Sequence, residues 1–97
     1  MIESWRHLWL QRFFEEDKHS ARIPADVRDR LFLKLQLLDD ATSDADLRVP
    51  PSNHFERLIG KLAGWHSIRV NLQWRLIFRW ADGNAEQVYL DNHSYRN

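Results

Sequence analysis

The 97-residue chain carries 14 Lys and Arg against 14 Asp and Glu, has no cysteine, and is 12% aromatic. This length supports one domain over residues 1–97 with a single core, and the lack of cysteine excludes disulfides and thiolate metal sites. No apolar run approaches the ~18 residues of a membrane-spanning helix and no signal peptide is present, so a soluble cytoplasmic protein with no membrane partner is expected.

The charge is neutral in sum but uneven along the chain. Residues 1–47 hold seven basic against ten acidic side chains, residues 48–80 six against one, and residues 81–97 one against three. A basic block inside a neutral chain argues for a confined polyanion site rather than general coating of nucleic acid, with a solvated charged face as the plain alternative.

Residues 2–5 read as a short N-terminal edge strand. Leu8, Trp9 and Phe13, with Leu10 and Phe14, form a helical stripe ending near Glu16. The run HSARIPAD then breaks the pattern, and Pro24 with Asp26 opens a second helix whose buried stripe is Val27, Leu31, Leu35 and Leu38. Arg28, Asp29, Arg30 and Lys34 fall off that stripe and read as a solvated helix face. The polar run DDATSDADLRVPP is a connecting loop with one short helical turn around Asp44. Residues 53–59 read as a strand stopping at Gly60, with KLAG as the turn into the next.

Residues 64–80, GWHSIRVNLQWRLIFRW, carry the strongest pattern. His66, Ile68 and Val70 share one face of a first strand, while Trp74, Leu76, Phe78 and Trp80 share one face of a second. A three-residue connection of Asn71, Leu72 and Gln73 sets Val70 opposite Trp74, Ile68 opposite Leu76 and His66 opposite Phe78; a one-residue slip would mix buried and exposed positions. Each strand is thereby expected to bury one face. On the other face Arg69 comes opposite Arg75, and Arg79 faces Trp65. Opposed like charges destabilise a ladder unless an anion compensates them. Asp82, Gly83 and Asn84 then read as a three-residue turn into a last strand over residues 85–93. That register pairs Phe78 with Val88 and Leu76 with Leu90 on the core side, and Asp91 with Arg75 and Tyr89 with Ile77 on the other.

The expected fold class is therefore α+β, two N-terminal helices packed on an antiparallel sheet. Its solvent face gathers Arg69, Arg75, Arg79, Tyr89, Asp91 and His93. Such a set can hold a phosphate and move protons, which suits RNA cleavage: a base takes the ribose 2′-OH proton, arginines neutralise the phosphate, and an acid protonates the departing oxygen. This route needs neither metal nor cofactor. His93 is the first candidate for proton transfer, against a plain surface histidine. Arg75 is the candidate clamp, against a plain salt bridge with Asp91. Arg69 and Arg79 are either phosphate contacts or solubilising charges. His66 reads as a hydrogen-bonded interior histidine, and His7, His19 and His54 lack metal-ligand spacing.

The second half, PPSNHFERLIGKLAGWHSIRVNLQWRLIFRWADGNAEQVYLDNHSY, resembles the HigB toxins of the RelE/ParE superfamily. The resemblance spans nearly the whole chain and is densest from Gly64 to Arg79, with Leu58, Gly60, Pro50 and Pro51 before it. It implies a RelE-like fold and a bacterial type II toxin, an endoribonuclease (mRNA interferase) that cleaves messenger RNA in the ribosomal A site, leaving a cyclic or 3′ phosphate and a 5′ hydroxyl. It also implies neutralisation by a HigA-like helix-turn-helix antitoxin, with operator DNA bound only through that antitoxin. The family's functional arginine follows the hairpin tryptophan and maps onto Arg75. The His and Lys that other members carry on the preceding strand are Glu56 and Ile59 here; some members have Glu at the first position, and a carboxylate can act as base. A one-residue shift aligns Asp91 and His93 with the family's Asp-Tyr-His, with Asn92 in place of the tyrosine and Tyr89 or Tyr95 as substitutes. The resemblance thus assigns Arg75, His93, Asp91 and Glu56 to catalysis and Arg69, Arg79, Lys61 and Tyr89 to RNA binding. A non-catalytic, ParE-like toxin that poisons gyrase by protein contact uses the same fold and stays open at this point.

Overall fold

The computed structural model describes residues 1–92. Helix α1 (Leu8–Glu16) buries Leu10 and Phe13 and ends where Asp17 turns left-handed at φ 55°, its N–H returning to the Arg12 carbonyl. The buried stripe differs from the sequence expectation at one position, since Leu8 is 56% exposed while Leu10 is sealed. Helix α2 (Arg28–Asp40) follows a tight turn over Ala25–Val27 and buries Leu31, Leu35 and Leu38, with Val27 buried just before it. Each such leucine contributes roughly 2 kcal/mol of apolar burial. A four-residue helix α3 (Asp44–Leu47) stands where one turn was expected around Asp44.

The sheet is antiparallel in the order β1 (Glu56–Arg57), β2 (Trp65–Arg69), β3 (Arg75–Ala81) and β4 (Asn84–Asp91). The β2–β3 register is the expected one: Trp65 faces Arg79, His66 Phe78, Ile68 Leu76 and Arg69 Arg75. Its connection is held by Asn71, whose Oδ1 accepts from the backbone N–H of Gln73 at 2.8 Å and of Trp74 at 2.7 Å. The N-terminal segment runs parallel to β4 through bridges of Ile2 to Ala85 and Trp5 to Val88. It is the expected edge strand, reduced to two bridges and tied to β4 by four backbone hydrogen bonds.

Three expectations are corrected. The strand foreseen over residues 53–59 is only Glu56–Arg57, because Asn53 belongs to a helical turn and His54 is left-handed at φ 45°. The β3–β4 turn has two residues, Asp82 and Gly83, both at positive φ (53° and 77°), the type I′ geometry that matches strand twist. The ladder then slips between Ile77 and Arg79, with Gln87 at φ 55° forming a bulge, so that Ile77–Tyr89, Leu76–Leu90 and Arg75–Asp91 pair as expected. The expected register therefore holds at the site through a shorter turn plus one extra residue.

The third correction concerns the faces. The inner face carries the large core, with Ile68, Val70, Leu76, Phe78, Val88 and Leu90 packed against the leucines of α2 and Phe13 of α1. The outer face is covered as well: Leu58, Trp65, Ile77 and Tyr89 form a second cluster beneath Leu62. Both faces of β2 and β3 are thus buried, where alternation implied one.

Candidate active site

Arg69, Arg75 and Asp91 form one row across β2, β3 and β4 on the outer face, as direct cross-strand partners. Directly opposite residues in such ladders have Cα atoms about 4.5–5.5 Å apart. The next row runs Glu56, Ser67, Ile77 and Tyr89, which puts Glu56 two strands and two residues from Arg75, about 12 Å between backbones from strand spacing and rise. Two long side chains and a ribose phosphate fill such a gap.

Arg75 is only 4% exposed, and among the described residues its Nε and Nη1 are buried without a hydrogen-bond partner. This corrects the expectation of a solvent-facing arginine. Unsatisfied buried donors cost about 1–3 kcal/mol each, more when charged, and Arg69, with a partly buried side chain, leaves its own Nε unpartnered across the ladder. Two guanidiniums fixed this way have unmet demand for an oxyanion. Glu56 is exposed at the edge of β1, free to reach a substrate hydroxyl. His93 and Tyr95 lie outside the described residues.

The other candidates separate from this row. Arg79 lies four residues along β3, roughly 13 Å away by strand rise, with its guanidinium carbon 4.7 Å from the Trp65 ring centre. It also crosses Gly64, where a Cβ would meet Arg79 Nη1 at 3.3 Å. Lys61 is exposed in the turn Gly60–Leu62, close to that same end of β2. Tyr89 is 8% exposed and belongs to the outer cluster, so it is not the open stacking platform expected for a base. His66, expected as a hydrogen-bonded interior residue, is half-buried, stacked between Phe55 at 5.4 Å and Phe78 at 6.3 Å, and its Nδ1 has no hydrogen bond among the described residues. Burial, then the charge of Arg57, holds its pKa below the ordinary histidine value against a smaller opposing effect of Asp44. Among the described residues no three His, Cys, Asp or Glu side chains converge as a metal site.

Sequence reasoning missed Arg6. Parallel bridging of Trp5 to Val88 turns Arg6 to the outer face, where its guanidinium carbon sits 3.8 Å from the Tyr89 ring centre and 5.1 Å from that of Trp65. Pairing across more than 80 residues leaves no local signal.

Helices on one face of a four-stranded antiparallel sheet, with an arginine row on the other, is the RelE-like toxin architecture. The crystal structure of YafQ from E. coli strain BL21(DE3) shares the fold, with a TM-score of 0.59 at 15% identity over 97% of this chain and 96% of that one. In sequence, residues 3–93 match the family model described as the RelE-like toxin of type II toxin-antitoxin system HigB. Toxin HigB-1 of Vibrio cholerae serotype O1 is 50% identical over 95 residues, covering 98% of this chain and all of that protein. Endoribonuclease HigB of Proteus vulgaris is 34% identical over 94 residues, covering 96% and 100%. The chain belongs to the HigB-like toxin family of type II toxin-antitoxin systems. That membership implies a cognate antitoxin and places the chain in the HigB branch, so the ParE-like alternative is not favoured.

Proposed function

We propose that this toxin is an endoribonuclease that cuts messenger RNA on the ribosome. Arg75 is the observation that carries the reading: a buried guanidinium with two unmet donors, opposed by Arg69 and flanked by Asp91, keeps N–H groups available for a phosphate. Glu56 accepts the 2′-OH proton, O2′ attacks phosphorus as the P–O5′ bond breaks, and Arg75 and Arg69 stabilise the charge on the nonbridging oxygens. His93, which lies outside the described residues, is the proposed donor of the proton to O5′, with the Asp91 carboxylate at the end of the row to favour its charged form. The products are a 2′,3′-cyclic phosphate and a 5′ hydroxyl. Arg79, Lys61 and Arg6 border the RNA path at the Trp65 end.

The name of the Proteus vulgaris relative supports this activity. A HigA-like helix-turn-helix antitoxin is the proposed partner, contacting operator DNA on behalf of the complex, and the proposed compartment is the cytoplasm. No helix among the described residues is long and apolar enough to cross a membrane. The deciding experiment adds purified toxin to a translation extract and maps messenger ends. Cuts within codons by the wild type and none by Arg75→Met are the expected result; intact messenger with the wild type would refute the activity.

A further inference from the structure

Off the Arg75 row lies a cavity of about 390 Å³ between α2 and the tip of the β2–β3 hairpin. Arg30 and Lys34 line it from the helix, Ser52 from below, and Arg69, Asn71 and Leu72 from the hairpin. Sequence periodicity assigned Arg30 and Lys34 to a solvated helix face. Arg30 is exposed, as that reading expects, and Lys34 is half-buried; both line the cavity together with Arg69, the residue directly opposite Arg75.

The cavity holds three cationic side chains and no carboxylate in its lining. Asp26 and Asp29 line a neighbouring hollow that shares Arg30 and Asn71 with this one, and neither borders the cavity itself. Lys34 is held in place by a neutral group: its ammonium donates to Asn53 Oδ1. Asn53 is itself fully buried, its amide donating to the Leu47 carbonyl at 3.2 Å and the Val49 carbonyl at 3.1 Å. A buried amide thus positions the lysine without cancelling its charge, leaving further donors for a ligand. Burial and then the Arg30 charge hold the Lys34 pKa below the ordinary lysine value, as crowded cations do when no anion is present.

We propose that this cavity is a second phosphate subsite, in which Arg30, Lys34 and Arg69 hold a backbone phosphodiester of the RNA strand whose neighbouring phosphate lies at Arg75. The assignment rests on the RNA reading of the Arg75 row and extends the RNA track around the hairpin tip onto α2. Arg69 belongs to both subsites and couples them.

The test is binding of a short 2′-O-methyl RNA oligonucleotide, which lacks the attacking hydroxyl, measured by fluorescence anisotropy over a salt series. Wild type is compared with Arg30→Gln, Lys34→Gln and the charge-matched control Arg28→Gln, which lies on the same helix and lines a different groove. Arg30→Gln and Lys34→Gln should each weaken binding about 3–10-fold at low salt and make the slope of log K against log salt shallower by about 0.7, the value for one lost phosphate contact on a single strand. Arg28→Gln should keep the wild-type slope. Thermal melts of each variant separate lost binding from lost folding. Unchanged slopes for Arg30→Gln and Lys34→Gln, or an equal loss in Arg28→Gln, would overturn the subsite. If the oligonucleotide fails to bind wild type while inorganic phosphate shifts the Lys34 ammonium resonance, the ligand is free phosphate and the RNA assignment is overturned. If the oligonucleotide depends on Lys34 but Arg75→Met still cuts messenger, the subsite stands and Arg75's assigned role falls.

Discussion

Arg69 and Arg75 stand directly opposite one another across the β2–β3 ladder, with Asp91 on the far side of Arg75. A sheet selected for stability alone would not place two guanidiniums there. Arg75 compounds the cost by being 4% exposed with two unpartnered nitrogens.

Arg75→Met should therefore lose activity without losing stability. Replacing a buried guanidinium that has two unmet donors by an apolar side chain of similar length removes their desolvation cost, so stability should stay within about 1 kcal/mol of wild type, while loss of phosphate stabilisation lowers cleavage by about 10²–10³-fold. Thermal melts and messenger cleavage in a translation extract check both halves. A melting temperature well below wild type would make Arg75 a structural residue.

Glu56→Gln should lower the cleavage rate by about 10²-fold or more, the usual weight of a general base. Because Glu56 is exposed on a two-residue edge strand, its stability should stay within about 0.5 kcal/mol of wild type. A cleavage rate within about 3-fold of wild type in Glu56→Gln would assign the base elsewhere.

Gly83→Ala should be among the most damaging small substitutions in the chain. A Cβ there would lie 2.5 Å from the Thr42 carbonyl oxygen, and its φ of 77° is one that alanine rarely adopts. The expected loss is about 2–4 kcal/mol, read as the shift of a urea unfolding midpoint. A shift below about 1 kcal/mol would show that α2 and the β3–β4 turn separate more easily than their contact implies.

Stability should fall as the pH drops below 6.5. Burial holds His66 and His7 below that ordinary value, with Arg57 adding to the effect on the first and Arg6 and Arg22 on the second. Between the folded and unfolded values the unfolded chain binds more protons, so stability is complete above 6.5 and is lost on acidification until the folded imidazoles also protonate. His66→Phe, which keeps a ring between Phe55 and Phe78, should flatten part of this slope and compare more favourably with wild type near pH 5 than at pH 7.5. Thermal melts between pH 7.5 and 5 measure it, and an unchanged slope would remove His66 from the account.

The helices and the β2–β3 register were legible because each is fixed by local periodicity, Leu31, Leu35 and Leu38 in one case and Ile68 opposite Leu76 in the other. The burial of the outer face had a signal that simple alternation discards: Trp65, Ile77 and Tyr89 are three apolar residues at outward positions of adjacent strands. What covers them, Leu58 and Leu62, sits in a segment too short and irregular to read. The Gln87 bulge was invisible because it compensates a turn one residue shorter than expected. Arg69, Arg75 and Asp91 were placed correctly by register, whereas the meeting of Arg30 and Lys34 with Arg69 depends on how α2 crosses the sheet.

Strand β3 is hydrogen-bonded along both edges and roofed above and below, by the leucines of α2 on one side and by Trp65 and Tyr89 on the other. Its amides should therefore be among the slowest to exchange with solvent. Arg75 is thereby anchored in the most enclosed strand, whereas Glu56 sits on the two-residue edge strand, so opening of β1 would separate the two while leaving Arg75 in place.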